Sequence, residues 1–364
     1  MIELQVNTKG KKLLIQPNRS FIKKCSVNNL REITIAIDAM GGDLGPTAVV
    51  KGVFLASKKI SKIKFIFFGD KKKITPLLKK KSIFNNSEIF HTEQVIKNDT
   101  KPIEALRKFK KSSMFKAIEY VKSGAAHAVV SSGNTGALMV ISTVLMKTIK
   151  GINRPAIASI FPTKKSETLM LDLGANIECD VKNILDFAIM GNIFSKTVLG
   201  IKKPKIGLLN VGSEILKGNN MVQRAAKTLR KEKNIHFYGF IEGNDIPMGL
   251  VDVVVTDGFT GNIALKIAEG TSELYTNYLR STFKDNLYSK FAFIISLPIL
   301  KSLWHKVDPG KYNGAMFLGL NGIVVKSHGR SDADGFANAI SVAYDLSINN
   351  FNKKIIFDIK KIFK

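Results

Sequence analysis

Cysteine is nearly missing from this chain: Cys25 and Cys179 are the two among 364 residues. Two cysteines build no disulfide framework and offer no metal-ligand spacing, so a reducing cytoplasm is the expected compartment. An N-terminal apolar stretch with a small-residue cleavage site is also missing, which argues against a secretory signal. The most apolar run, "FAFIISLPILKSLW" (291–304), is interrupted by Pro298 and Lys301 and is too short to span a bilayer. It reads either as a buried core segment or as a hydrophobic tip on a projecting helix pair. Familiar catalytic words are absent too. There is no G-x-S-x-G elbow, no H-E-x-x-H, no Walker A ending, no G-x-G-x-x-G and no Cys-His pair that spacing nominates. Acidic residues are scarce, 29 Asp and Glu against 56 Lys and Arg, for a net charge of +27. Such an excess attracts nucleic acid, anionic lipid and acidic proteins alike. Here the lysines are spread over nearly the whole chain with many Asn, Ile and Phe, as AT-rich codons would give. No zinc-finger spacing, helix-turn-helix or aromatic RNA-binding signature accompanies them, so nucleic acid is not an expected partner.

What is present is an alternation. Residues 1–31 form a basic extension with no motif, and the patterned chain begins at "ITIAID" (33–38). Short apolar runs follow at 64–69, 126–133, 168–174, 205–212, 235–240 and 251–258, several ending in Gly, Asp or Asn. Continuous apolarity suits strands covered on both faces. Helical stretches at 112–123, 136–150, 181–196, 219–232 and 261–281 separate them. The pattern predicts a three-layer αβα domain over 32–350 with a mainly parallel sheet. Residues 275–310 would form the projecting helical tip, and 351–364 a basic amphipathic tail that packs on the end of the domain or, as the alternative, lies on anionic lipid. In such sheets a ligand sits beyond the carboxyl ends of the strands.

Polar, glycine-bearing words fall at those ends. "IDAMGGDLGP" supplies Asp38, Gly41, Gly42 and Asp43, with Pro46 placed to begin a helix. "SSGNTG" supplies Ser132, Gly133, Asn134 and Thr135; Asn134 or Thr135 would cap the next helix, whose free amides suit an anion. "LDLGAN" places Asp172, Gly174 and Asn176, and "NVGSEILKGN" places Asn210, Glu214, Lys217 and Gly218. "DGFTGNIALK" adds Asp257, Gly258, Gly261, Asn262 and Lys266. A lysine among glycines after a strand is a partner for phosphate or a developing oxyanion. Of the five histidines, His328 in "KSHGRSD" has the best polar loop context. The inventory of amides, Asn, Asp and Lys suits a ready-made anionic nucleophile such as inorganic phosphate, which needs positioning more than deprotonation. Neither a cofactor nor a metal is called for.

These words, with "NRPAIASIFPT", "IEGNDI" and "NGAMFLGLNGIVVKSHGRSD", occur in one order from about residue 33 to 345. In that order they resemble the bacterial phosphate acyltransferase family called PlsX. The resemblance implies a phosphotransacetylase-like and isopropylmalate-dehydrogenase-like αβα fold with a projecting helical pair, assembled as a homodimer. It implies transfer of a fatty acyl group from acyl-acyl-carrier-protein to inorganic phosphate for phospholipid synthesis. Product would pass to a membrane glycerol-3-phosphate acyltransferase, from a cytoplasmic enzyme touching the membrane surface peripherally. Lys217, Asn262 and Asp257 would be catalytic. Asp38, Gly41, Gly42, Asp43, Ser132, Gly133, Asn134, Thr135, Asn176 and Lys266 would shape the phosphate and thioester site. The neighbouring alternative is a phosphotransacetylase-type enzyme using acyl-CoA. Ser132 stands where the family more often has alanine, and residues 1–31 have no family counterpart.

Overall fold

The computed structural model describes residues 32–79, 87–283, 287–307 and 314–362. The expected basic extension, 1–31, lies outside them. Eleven strands form one sheet: β1 (Ile33–Asp38), β2 (Ile63–Gly69), β3 (Ser87–His91), β4 (Ala128–Ser131), β5 (Ala156–Pro162), β6 (Glu167–Leu171), β7 (Lys205–Leu209), β8 (His236–Ile241), β9 (Val253–Val255), β10 (Ala315–Leu318) and β11 (Ile323–Lys326). Their order is β3-β2-β1-β4-β11-β10-β5-β6-β9-β7-β8. The helices are α1 (Gly45–Lys59), α2 (Lys71–Lys79), α3 (Pro102–Lys108), α4 (Ser113–Lys122), α5 (Thr135–Met146), α6 (Val181–Thr197), α7 (Asn220–Leu229), α8 (Asp245–Met248), α9 (Gly258–Thr282), α10 (Leu287–Val307), α11 (Ala333–Ile348) and α12 (Phe351–Ile362).

Side chains alternate between the two faces of each strand. Ile35, Ile37, Phe65 and Phe67 join the core under α1, α2, α6, α7, α11 and α12. Ala36, Ile66, Phe68 and Val129 face the other way, under α3, α4, α5 and the first turns of α9. Both faces are covered, which is why the strands read as unbroken apolar runs. Local signals set the helix starts. Pro46 sits in the first turn of α1, and Asp180 with Asn183 closes a capping box on α6.

Pairing is mostly parallel, but three pairs are antiparallel: β10 with β11, β10 with β5, and β5 with β6. Strands β1 to β5 and β11 therefore run one way, and β6 to β10 run the other. Carboxyl ends open on two opposite edges of the sheet, not on one. Proximity to "strand ends" in the sequence thus divides the polar words into two groups.

Strands β3, β5, β10 and β11 and helices α2, α3, α8 and α11 lie outside the runs that the sequence pattern marks, whereas α1 has the expected Pro46 in its first turn. Segment 291–304 falls in α10, and its described side chains, 291–300, are not core. Phe291, Ile294, Ile295 and Ile299 are exposed there, as are Leu274, Tyr275 and Tyr278 of α9. No helix among the described residues is long and apolar enough to cross a membrane. The described part of the C-terminal tail, α12, buries Phe351, Ile355 and Ile359 against α6, with Phe351 edge-on to Phe194 at 5.5 Å.

Candidate active site

The first edge gathers the ends of β1, β4 and β11. Asp38 ends β1 fully buried, and Ser131 Oγ donates to its Oδ2 at 2.6 Å. Ser131 Oγ also accepts from the Gly133 amide at 3.0 Å, while Ser132 Oγ donates to the Gly41 carbonyl at 2.9 Å. Gly41 and Gly133 lie back to back, and a Cβ on Gly41 would come within 2.6 Å of the Gly133 nitrogen. Only glycine permits that approach. Asn134 caps α5, accepting from the Ala137 amide at 2.9 Å. Its Nδ2 donates to the carbonyls of Lys97, Asn98 and Thr100, at 3.3, 2.8 and 3.0 Å. Asn98 Nδ2 in turn donates to Asp43 Oδ1 at 2.7 Å, and the Asp43 amide donates to Gly329 O at 2.8 Å.

A buried lysine closes this edge. Lys326, the last residue of β11, donates to the Ser132 carbonyl at 3.2 Å and to the Ser327 carbonyl. Burial lowers its pKa to about 8, against the opposing pull of Asp38 and Asp43. His328 follows, with its pKa lowered first by burial and further by Lys326, Lys266 and Arg330, while Glu269 raises it. Its Nδ1 accepts from the Arg330 amide at 3.2 Å, which assigns the proton of the neutral ring to Nε2. Lys266 and Glu269, paired at 3.3 Å, reach this edge from the middle of α9.

The second edge gathers the ends of β6, β7 and β9. Asp172 is buried there, and its carboxylate accepts from the amides of Ile157, Gly174, Ala175 and Asn176 and from Asn176 Nδ2. Burial pushes its pKa up, partly offset by these bonds. Asn176 also donates to the Pro155 carbonyl at 2.8 Å, and its own carbonyl accepts from the Gly258 amide at 2.8 Å. That bond docks the start of α9 on the β6 loop. Asp257 caps α9, accepting from the Thr260 amide at 2.9 Å and from Thr260 Oγ1 at 2.8 Å. One turn on, Asn262 is exposed, and a Cβ on Gly174 would lie 3.5 Å from its side chain.

The β7 loop lies alongside. Asn210 Nδ2 donates to the carbonyls of Gly212 and Lys217, at 3.0 and 3.1 Å. Gln223 of α7 holds the same loop from outside, donating to Leu216 O at 2.8 Å and Gly218 O at 3.2 Å. Gly218 has φ +94°, and Asn210 occupies the space a Cβ would need. The backbone of Lys217 is thus fastened while its side chain stands exposed. Val211, Ile215 and Leu216 are exposed on the same loop, Leu216 at 88%, as are Ile177 on the β6 loop and Phe259 and Ile263 in the first turns of α9. Cys179 is no ready nucleophile. Burial, then the Asp172 charge, pushes its thiol up to about 11.

The sequence candidates divide accordingly. Asp38, Gly41, Gly42, Asp43, Ser132, Gly133, Asn134, Thr135 and Lys266 belong to the first edge; Asn176, Lys217, Asp257 and Asn262 belong to the second. The hydroxyl of Ser132 is engaged by the Gly41 carbonyl. Lys326 was not legible as a site residue, although a lysine ending the apolar run "IVVK" before a glycine turn is a usable signal.

With this geometry in place, comparison with known proteins is decisive for the family. A family model described as "Fatty acid synthesis protein" matches residues 33–354. The phosphate acyltransferase of Paramagnetospirillum magneticum is 52% identical over 325 residues, 89% of this chain and 93% of the relative. The chain belongs to this family. That of Rhodospirillum rubrum is 46% identical over 332 residues, 91% of this chain and 95% of the relative. Membership makes the chain an acyltransferase. Among solved structures, a phosphotransacetylase from Streptococcus pyogenes superposes with a TM-score of 0.60 at 17% identity, covering 87% of this chain and 94% of the other. The EutD phosphotransacetylase of Staphylococcus aureus gives 0.54 at 16% identity over 89% of this chain and 94% of the other. These two likenesses establish the fold, which is the one the family resemblance implies.

Proposed function

We propose that this acyltransferase moves a fatty acyl group from acyl-acyl-carrier-protein to inorganic phosphate, giving acyl-phosphate for phospholipid synthesis. The observation that carries the reading is the second edge. A pinned lysine stands on the β7 loop and an amide side chain on the first turns of α9, with exposed apolar residues on the same elements. That combination suits a substrate pair with an anionic head and a long apolar chain.

In this reading Lys217 holds phosphate, whose oxygen attacks the thioester carbonyl. The C–O bond forms, electrons collapse onto the carbonyl oxygen, and Asn262 donates to that oxyanion. The oxyanion then re-forms the carbonyl, the C–S bond breaks, and the carrier thiolate leaves. Asp257 acts by fixing the start of α9, because Thr260 occupies its carboxylate. The first edge supplies a rigid wall, with Asn134 and Asp38 shaping it. Positioning of a nucleophile that is already anionic is the main contribution asked of the protein.

The carrier protein is strongly acidic, and the basic surface would steer it in. A homodimer is proposed from the family, as is hand-over to a membrane glycerol-3-phosphate acyltransferase. The exposed aromatic and aliphatic face of α9 and α10 fits peripheral contact with the membrane surface.

The test is acyl-phosphate formation by purified protein, with palmitoyl-carrier protein and acetyl-CoA compared as donors. Palmitoyl-carrier protein should be used with phosphate, and Lys217→Ala should lose most of that activity. Preference for acetyl-CoA would replace this reading with a phosphotransacetylase, and full activity in Lys217→Ala would remove that lysine from the mechanism.

A further inference from the structure

A cavity of about 510 Å³ lies at the amino ends of β7 and β8, the opposite end of β7 from the Lys217 loop. Lys196, Lys203, Arg230 and Lys233 line it, with Glu232 as the single carboxylate. Leu229, Pro204, Ile235 and Phe237 supply an apolar wall. Arg230 is held in place over two rings, 5.7 Å from the centroid of Phe240 and 5.9 Å from that of Phe237.

In so basic a chain, four cations around a hollow would not by themselves mark a site. The polar lining adds a second observation. Asn192, only 3% exposed, and His236 contribute to it. Asn192 Oδ1 and His236 Nδ1 are buried without a hydrogen-bond partner among the described residues. Buried polar atoms are nearly always paired, and leaving one unpaired costs about 1–3 kcal/mol. Both unpaired atoms belong to residues lining one cavity, beneath a cationic rim.

We propose that this cavity binds a nucleoside polyphosphate. Phosphates would lie against Lys203, Arg230 and Lys233, and the base would face the apolar wall, a turn of the Asn192 and His236 side chains bringing their unpaired atoms to it. Inorganic phosphate alone would leave most of the space empty, whereas ligand pockets of about 300–1,000 Å³ suit molecules of nucleotide size. The carrier protein is a poor occupant, because the cavity faces away from the loop that carries Lys217. One helix joins the two places. α7 begins two residues after Gly218, capped by Asn219, and Arg230 follows its last residue.

The experiment is titration of a fluorescent ADP analogue into the full-length protein, with displacement by ADP, pyrophosphate and adenosine. Saturable binding is expected, with ADP displacing better than pyrophosphate or adenosine. Lys203→Ala/Arg230→Ala should weaken it about tenfold or more, since each charge-assisted bond is worth about 1.5–3 kcal/mol. Lys217→Ala should bind as the unaltered protein does. If the double variant does not fold, the exposed change Lys233→Glu serves in its place. Lack of saturation, binding unchanged in the cavity variants, loss in Lys217→Ala, or equal displacement by pyrophosphate would each overturn the proposal. Because acyl transfer is measured separately, failure here leaves the acyltransferase reading standing.

Discussion

The two edges of the sheet are built from similar words and do different things with them. On the first edge polar side chains point inward and use one another. Asp38, Ser131, Ser132, Asn134 and Lys326 are bonded to carbonyls, amides or hydroxyls of the loops that meet at this edge. On the second edge Asp172, Asn176, Asn210 and Asp257 perform the same bracing, but Lys217 and Asn262 stand outside it, exposed. A glycine-rich turn at a strand end is therefore not by itself a ligand site. The side chains left over after the loop has satisfied itself are the ones available for chemistry.

The largest effect should come from breaking the inward-facing edge. Asp38→Ala removes the acceptor of Ser131 Oγ and one of two carboxylates facing the buried Lys326. Leaving the buried Ser131 hydroxyl without its acceptor, and the Lys326 ammonium with one fewer compensating carboxylate, costs about 1–3 kcal/mol for each group. Chemical denaturation should show that loss, and a change below 1 kcal/mol would mean that the cluster is not a unit. The outward edge should respond in the opposite manner. Asn262→Ala is expected to lower the rate of acyl-phosphate formation about 10²–10³-fold, the usual cost of removing an oxyanion donor. Its melting temperature should barely move, because an exposed substitution shifts stability by about 0.5 kcal/mol or less. A variant that melts early yet turns over normally would reverse the assignment of the two edges.

Much of this was legible in sequence. β1 begins and ends where "ITIAID" does, and α6 differs from its expected range by one residue. A cap at Asn134 or Thr135 followed from residue type and position, and Asn134 provides it. The division into two edges did not, because it depends on the antiparallel neighbours of β5 and β10. Short strands such as "AMFL" carry no mark of direction. For the same reason the bonds that Asn98 makes to Asp43 and Thr260 makes to Asp257 were not legible. Partners that far away in sequence, or that local, have no signature in spacing.

The smallest effect is a pH dependence confined to the first edge. Burial lowers the pKa of Lys326 from 10.5 to about 8 in the folded chain. Between those two values the unfolded chain binds more protons than the folded one, so raising the pH favours folding through this group. Below about pH 8 the cost of burying the ammonium is fully present, and above about 10.5 it has vanished. Lys326→Met has no such group. The stability difference between the unaltered chain and this variant should therefore shift in favour of the unaltered chain from pH 8 to 10. The rise should approach about 1 kcal/mol per pH unit, since one proton is worth about 1.4 kcal/mol per unit. Denaturation curves of both proteins at pH 7, 8, 9 and 10 measure it. A constant difference would mean that Lys326 titrates like an exposed lysine, and that the inward-facing edge is more open to water than the outward one.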